Sequence, residues 1–502
     1  MHGILASSGS LRVYNTLTGR KERFEPLSNE KVGIYVCGIT AYDYSHIGHA
    51  RAAVVFDAIV RYLRHSGLMV TYVQNITDID DKIINRARET GTTTQELSKR
   101  FTGEYHADME SLGVLPPDVE PEATEHIPDI IDLIERLSKK GHAYEAEGSV
   151  YFAVETFPSY GKLSRRSVEE MQAGARVEID RRKRNPMDFA LWKASKASEP
   201  AWESPWGRGR PGWHIECSAM SMRYLGETFD IHGGGKDLTF PHHENEIAQS
   251  EAATGKPFVR YFVHNGFVTI NGEKMSKSLG NFLTIKEILA RHDPQALRLF
   301  LLSKHYRSPL DYSEEFLNEA ETSLDRVYTT LNAVLRLGQG AGISEARVAG
   351  GSADPEMEAG LKKISGLQGL FHEAMDDDFN TALALAHIFE AVRATNMLID
   401  HHKKTQDEAL LPALHLGAES ITNSGRILGL FTSAPDAFLS ARKKSRLAGI
   451  PLTEEEILTL VQQRNEARRI KDWAAADAIR KKLAEANIVL KDSPQGTTWE
   501  VK

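Results

Sequence analysis

The stretch Phe229-Asp230-Ile231-His232-Gly233-Gly234-Gly235-Lys236-Asp237-Leu238, running on through Pro241-His242-His243-Glu244-Asn245-Glu246, decides how the chain is read. Its apolar opening predicts a short strand, and three consecutive glycines let the backbone pass close to another group. Asp237 then stands where a carboxylate accepts from a sugar hydroxyl. Pro241 suits the first turn of a helix. In that helix His242 and Glu246 fall at i and i+4, about 5–6 Å apart at Cβ on one face, near enough to share a metal ion. Taken alone, the same residues also read as a Gly-rich turn before a solvated polar helix.

Working outward, Val32-Gly33-Ile34-Tyr35-Val36-Cys37 is an apolar run closed by Gly38, the pattern of a buried parallel strand. A loop leads to His46-Ile47-Gly48-His49, after which Ala52, Val55, Phe56, Ile59, Val60 and Leu63 repeat at helical spacing. The two histidines therefore open a helix, where backbone N–H groups and a positive dipole end face anions. Met69 to Thr77 gives the next strand, so strand, helix and strand predict a right-handed, Rossmann-like crossover. Pro116-Pro117 ends a polar helical stretch. From 117 to 204 short strand-like runs, such as Ser149 to Val154, follow a helix near Ile130 to Lys139. That piece reads as an α+β insertion between two halves of the sheet, 11–116 and 205–265.

Beyond the sheet, 266–312 carries the Gly-bounded loop Lys274-Met275-Ser276-Lys277-Ser278-Leu279-Gly280. Residues 313–432 are almost wholly helical, with Leu324, Val327 and Leu331 in phase, and predict a bundle. Residues 433–451 read as a linker. In 452–502, short helices precede a strand pair that turns at Pro494-Gln495-Gly496. Residues 1–10 lack a basic n-region and an apolar core and read as a loose tail. The expected fold class is α/β: a Rossmann-like parallel-sheet domain with a connective insertion, then a helical bundle and a small C-terminal domain.

With 502 residues the chain exceeds one core, and about three to five domains are expected. The two cysteines, Cys37 and Cys217, are too few for a disulfide framework, so a reducing, cytoplasmic setting is the expectation. No run of about eighteen apolar residues is present, and no membrane span is expected. A net charge of −8 argues against indiscriminate nucleic-acid binding but leaves local basic patches, Arg181 to Arg184 and Arg442 to Lys444.

His46-Ile47-Gly48-His49 after the first strand and Lys274-Met275-Ser276-Lys277-Ser278 after the last make one chemical proposal. Two imidazoles at a helix start, facing two ammonium groups on a loop, surround a triphosphate. They stabilise charge as pyrophosphate leaves, which is adenylyl transfer. These motifs resemble those of class I aminoacyl-tRNA synthetases. The phrases Tyr35-Val36-Cys37-Gly38-Ile39-Thr40, Asn75 to Lys82, Pro211 to Ser218 and Phe240 to Glu246 resemble the cysteinyl-tRNA synthetases, over about Leu11 to Lys502. Ser45, before the first histidine, is a local departure.

The resemblance implies a zinc ion held by Cys37, Cys217, His242 and Glu246. From the residues alone, two lone cysteines also read as small buried hydrophobes, and the short Cys-x-x-Cys pairs of many zinc sites are absent. The resemblance also implies a cysteine pocket lined by Gly38, Thr77, Trp213 and His232. Gly235 and Asp237 would take the adenosine ribose. His46, His49, Lys274, Lys277 and Ser278 would take the phosphates of ATP with Mg²⁺. Separating cysteine from serine needs about 10⁴, whereas a shape-matched pocket gives about 10–200-fold. A thiolate on zinc would close that gap without an editing domain. In the last segment Arg468, Arg469, Trp473 and Trp499 interleave charge and rings, which suits tRNA phosphates and bases. L-cysteine, ATP and tRNA(Cys) are thus the expected partners of a monomer. The rivals are a cysteine ligase acting on an amino sugar, as in mycothiol synthesis, and a non-catalytic tRNA-binding paralogue. A structural zinc protein would leave the lysine loop unexplained.

Overall fold

Val32, Ile34, Tyr35 and Val36 are all buried, so strand β1 (Lys31–Val36) is covered on both faces, as a central parallel strand must be. In this computed structural model, residues 10–165, 180–196, 199–275, 282–338, 354–493 and 496–501 are described. The chain passes from β1 through helix α1 (Ile47–His65) to β2 (Met69–Gln74). Much later come α2 (Trp213–Leu225), β3 (Phe229–Gly235), α3 (His242–Thr254) and β4 (Val259–Asn265). The four strands are parallel in the order β4-β3-β1-β2, the Rossmann-like core that the strand-helix-strand pattern predicts.

Because β1 feeds β2 on one side while β3 flanks it on the other, the sheet reverses its winding between β1 and β3. Ligands of open α/β sheets lie at such a reversal, beyond the carboxyl ends of the strands. Register sets Tyr35 beside Val73 on one side and His232 on the other. Cys37 and Gly38 therefore leave β1 next to the Gly233-Gly234-Gly235 end of β3.

Between β2 and β3 the chain forms helices Asp81–Thr90, Thr94–Ser111 and Ile127–Lys139. An antiparallel sheet follows, of Ala143–Ala146, Ser149–Phe152, Phe189–Ala194 and Gly209–Pro211. Its last strand lies beyond residue 204, where the sequence reading ends the insertion. Among the described residues the insertion shares its core with the sheet's helices: Ile130, Ile134, Phe152 and Trp192 pack with Ile215 of α2 and Ala248 of α3.

The chain divides into two compact units, one of Met1–Leu324 with Glu345–Phe431 and one of Asp325–Ser344 with Thr432–Lys502. In the first, helices Pro355–Asp376, Thr381–Thr405 and Leu411–Ile427 pack on one another. Thr381–Thr405 is long and apolar enough to cross a bilayer, but half of its most apolar window is buried, as in the core helix of a bundle.

In the second unit the expected linker is instead the helix Pro435–Ala448. Phe438 is its one buried residue, too few for a helical period to show in the sequence. Phe438 stacks on Tyr328 at 3.8 Å, and Arg442 and Arg446 reach Asp325. Helices Glu454–Arg469 and Trp473–Glu485 then cover a hairpin, Ile488–Ser493 with Gly496–Val501, as expected.

One buried ion pair secures the middle of α1. Arg298, without solvent exposure, pairs with Asp57 and donates to the carbonyls of Leu112, Gly113 and Leu428. Asp57 also accepts from Arg61 and from the Leu115 N–H. Deleting one partner strands a charge, so Arg298→Met should cost about 3–5 kcal/mol in chemical denaturation. Combining it with Asp57→Asn should cost less than the sum of the two single losses.

Candidate active site and metal centre

Three elements bring four soft and hard donors to one point. Cys37 follows β1, Cys217 lies in the second turn of α2, and His242 and Glu246 share one face of α3. Their ligand atoms all lie within 4.8 Å of one another. The Cys37 and Cys217 sulfurs are 3.8 Å apart, both free thiols. Glu246 Oε1 lies 3.5 Å from Cys37 Sγ and 3.1 Å from His242 Nε2. Cys217, His242 and Glu246 are buried.

Gly38 is required by packing, since a Cβ there would meet the Asn75 carbonyl oxygen at 1.6 Å. Its N–H donates to Asn75 Oδ1, which fixes the turn that aims Cys37 inward.

Burial dominates the electrostatics of these donors. Burial pushes the Cys37 thiol well up, and Cys217 and Glu246 add to that. At Cys217 the Cys37 contact pulls the thiol down, while burial and the nearby Glu246 and Glu216 carboxyls leave it raised. Burial holds His242 and His243 well below the usual imidazole range. Two sulfurs, a neutral imidazole and a carboxylate are the donor types zinc takes tetrahedrally, so the residues fit that ion.

Further groups orient these donors. His214 Nδ1 meets His242 Nδ1 at 2.8 Å, and Trp213 stacks on the His242 ring at 4.3 Å. His232 Nε2 donates to Glu246 Oε2 at 2.8 Å. His243 Nε2 lies 3.4 Å from Cys37 Sγ and completes a second set of possible ligands with Cys37, His232 and Glu246. Behind it, His243 Nδ1 meets His264 at 2.8 Å, and His264 meets Thr16 at 2.8 Å.

A cavity of about 430 Å³ opens from this cluster to the start of α1. Cys37, Gly38, Trp213, His46, His49, Gly235 and Asp237 all line it. Thr77 and His232, expected in the same pocket, are both buried. The Thr77 hydroxyl donates to Glu216 Oε2 at 3.2 Å, and His232 is held by Glu246.

At the mouth of α1, His46 is the cap. Its Nδ1 accepts from the Gly48 N–H at 3.0 Å, and His49 Nδ1 accepts from the His46 N–H at 3.2 Å. Accepting at Nδ1 puts each ring's proton on Nε2. The rings stack at 3.8 Å, and burial, then His46 and Lys82, holds His49 well below the usual range. A Cβ at Gly48 would meet the His46 ring at 2.8 Å, which explains the glycine between the histidines.

Lys274 sits in a short strand opposite Thr269. Lys277 and Ser278 fall outside the described residues, but Met275 and Phe282, on either side of that gap, both line the cavity.

In the second unit Trp473 is 60% exposed, whereas Trp499 packs against the cluster of Ile457, Val461 and Leu483. Arg468 pairs with Asp492 and Arg469 with Glu466. The sequence reading missed His214, His243 and Asn75. The first stands in a quoted motif and the second beside His242, but neither spacing reveals a role.

The comparisons bear on this arrangement. A family model described as "tRNA synthetases class I (C) catalytic domain" matches residues 23–322, a DALR domain matches 370–432, and a "Cysteinyl-tRNA ligase anticodon binding domain" matches 451–499. A cysteine–tRNA ligase of Geobacter sulfurreducens is 57% identical over 494 residues, 98% of this chain and 100% of that one. One of Syntrophobacter fumaroxidans is 54% identical, over 98% and 99% of the two chains. The Mycobacterium tuberculosis methionyl-tRNA synthetase, solved with methionyl-adenylate, superposes with a TM-score of 0.61 at 17% identity, covering 83% of this chain and 93% of that one. A catalytic model spanning more than half the sequence, with full-length relatives of this identity, means that the chain belongs to the cysteine–tRNA ligases of the class I aminoacyl-tRNA synthetase family.

Proposed function

We propose that the chain activates L-cysteine with ATP and passes the cysteinyl group to the 3′ end of tRNA(Cys). The observation that carries this reading is the two-thiol, imidazole and carboxylate cluster opening into the cavity that holds the histidine pair. Helices beyond Ser313 and a C-terminal anticodon-binding module argue against a ligase for an amino sugar, which has no use for them.

The chain's residues divide the work. Gly38 and Trp213 form the amino-acid end of the cavity, while Asp237 accepts from the ribose, with Gly235 allowing close approach. His46 and His49, with Nδ1 occupied by backbone N–H groups, turn neutral Nε2–H donors toward the phosphates, and developing charge is stabilised without a proton transfer. Lys274, Lys277 and Ser278 are assigned to the phosphates by their motif, with Mg²⁺ accompanying ATP.

Cys37, Cys217, His242 and Glu246 hold zinc, and His214 and His232 orient the last two. Bound there, zinc supplies a soft Lewis acid that favours a thiolate over an alcohol. Two free thiols fit a cytoplasmic, monomeric enzyme.

Pyrophosphate exchange should depend on cysteine and fail with serine, in protein holding about one zinc per chain by metal analysis. Cys217→Ser should lower zinc content and bring the cysteine-over-serine ratio of kcat/KM down from about 10⁴ towards about 10–200. An unchanged ratio would sink zinc-based selection.

Trp473→Ala tests the far end. Loss of one base stack, worth about 1–3 kcal/mol, should raise KM for tRNA about tenfold or more while leaving exchange unchanged. Equal effects on both activities would remove Trp473 from tRNA recognition.

A further inference from the structure

The cavity between the metal cluster and the histidine pair must hold a triphosphate, yet among its described lining residues only Lys82 carries a permanent positive charge. Asp43 and Asp237 line it too, and both are acids. His46 and His49 accept backbone N–H groups at Nδ1 and so act as neutral donors. Burial keeps His49 from gaining a proton, and the Lys82 charge opposes it further.

Lys82 is held in place by its neighbours. Asp80 caps the helix Asp81–Thr90 by accepting from the Lys82 N–H at 2.9 Å. Asp81 is turned away, engaged by Lys193 and Arg210. The Lys82 ammonium lies 5.4 Å from the centre of the Tyr42 ring, itself a cavity residue. Among the described residues no carboxylate lies within ion-pair distance of it. A lysine in a first helical turn also opposes the helix dipole, so helix stability does not account for its position. Lys82 and Trp213 further line an adjoining cavity of about 600 Å³ along the insertion, so Lys82 shares both cavity walls with a residue expected at the amino acid.

We propose that Lys82 is a catalytic residue of the activation step, donating a charge-assisted hydrogen bond to a non-bridging oxygen of the ATP α-phosphate. This rests on the adenylyl transfer proposed above. A cysteine carboxylate oxygen attacks the α-phosphorus, the bond from that phosphorus to the bridging oxygen breaks, and pyrophosphate leaves with the electron pair. Lys82 keeps its proton throughout. Its contribution is charge stabilisation, strongest as negative charge accumulates on the α-phosphoryl oxygens.

The test compares Lys82→Met, Lys82→Gln and Lys82→Arg in the full-length protein. It reads pyrophosphate exchange, single-turnover transfer from preformed cysteinyl-adenylate to tRNA, and thermal unfolding. Removing the charge should lower kcat for exchange about 10²-fold, with KM for cysteine and the transfer rate within about threefold of wild type. Lys82→Arg should recover part of the exchange, and unfolding temperatures should stay unchanged because the side chain is exposed. Exchange at the wild-type rate in both neutral variants would overturn the proposal. So would a loss confined to transfer, which would assign the ammonium to an RNA phosphate instead, and so would a loss that tracks unfolding. Wild-type protein without cysteine-dependent exchange would instead sink the proposed function, whatever the variants do.

Discussion

Four ligand atoms crowded within 4.8 Å, three of them on buried residues, are the constraint that orders the catalytic half. Thiolates and a carboxylate so placed repel one another, and unpaired charge in a buried site is expensive. Burial pushes the Cys37 thiol well up and holds His242 well below the usual imidazole range, the directions that lower the charge of the cluster. Each element around the cluster contributes a donor or orients one: the end of β1, the second turn of α2, the first turns of α3, and His232 in β3. Parallel strands whose winding reverses between β1 and β3 create the space in which these can meet.

Beside this cluster a second requirement is met by backbone. The turn entering α1 satisfies its own end by having His46 and His49 accept from N–H groups within the same turn. That local bonding fixes both tautomers and leaves each ring's proton on Nε2. Residues 45–47 also bond across to 283–285, Ile47 N–H to the Leu283 carbonyl and Ile285 N–H to the Ser45 carbonyl. Phe282 packs edge-on against His46 at 5.1 Å. The segment that returns from the lysine motif is thereby stitched to the histidine motif, two hundred residues away in sequence.

Much of this was legible in the sequence, and the limits have physical causes. A buried strand between two others writes itself as an unbroken apolar run, and α1 and α3 announce themselves by period and by Pro241. The metal set came from resemblance, because Cys37 and Cys217 are too far apart in sequence for any spacing rule. Thr77 and His232 are both buried, and residue type alone does not reveal that they bond to Glu216 and Glu246. Helix 435–448 was unreadable for a different reason: a helix with one buried residue has no stripe, and its proline and glycine ends resemble a linker. Trp473 and Trp499 are one residue type in one segment, yet one is exposed and the other packs in the core, a difference only tertiary structure supplies.

The helical half of the first unit is joined to the cavity through a carboxylate that water does not touch. Asp378 accepts from the Tyr14 N–H, the Tyr306 hydroxyl and Arg307 Nε at 2.7 to 2.8 Å. It does so from the left-handed region, φ 68°, followed by Phe379 at φ 50°. Two such residues in succession are unfavourable by about 1–3 kcal/mol each and persist only where surrounding contacts over-determine them. The segment they hold leads back to the site. Arg51, two residues after His49, donates to the carbonyls of Lys304 and His305, and the Tyr306 carbonyl accepts from Gly266, a cavity residue. Gly266 has no room for a side chain, since a Cβ there would meet the Ser308 carbonyl at 2.4 Å. The turn between helices 355–376 and 381–405 is therefore part of what fixes the cavity wall, and strain at Asp378 is the cost of making one rigid path from the bundle to the start of α1.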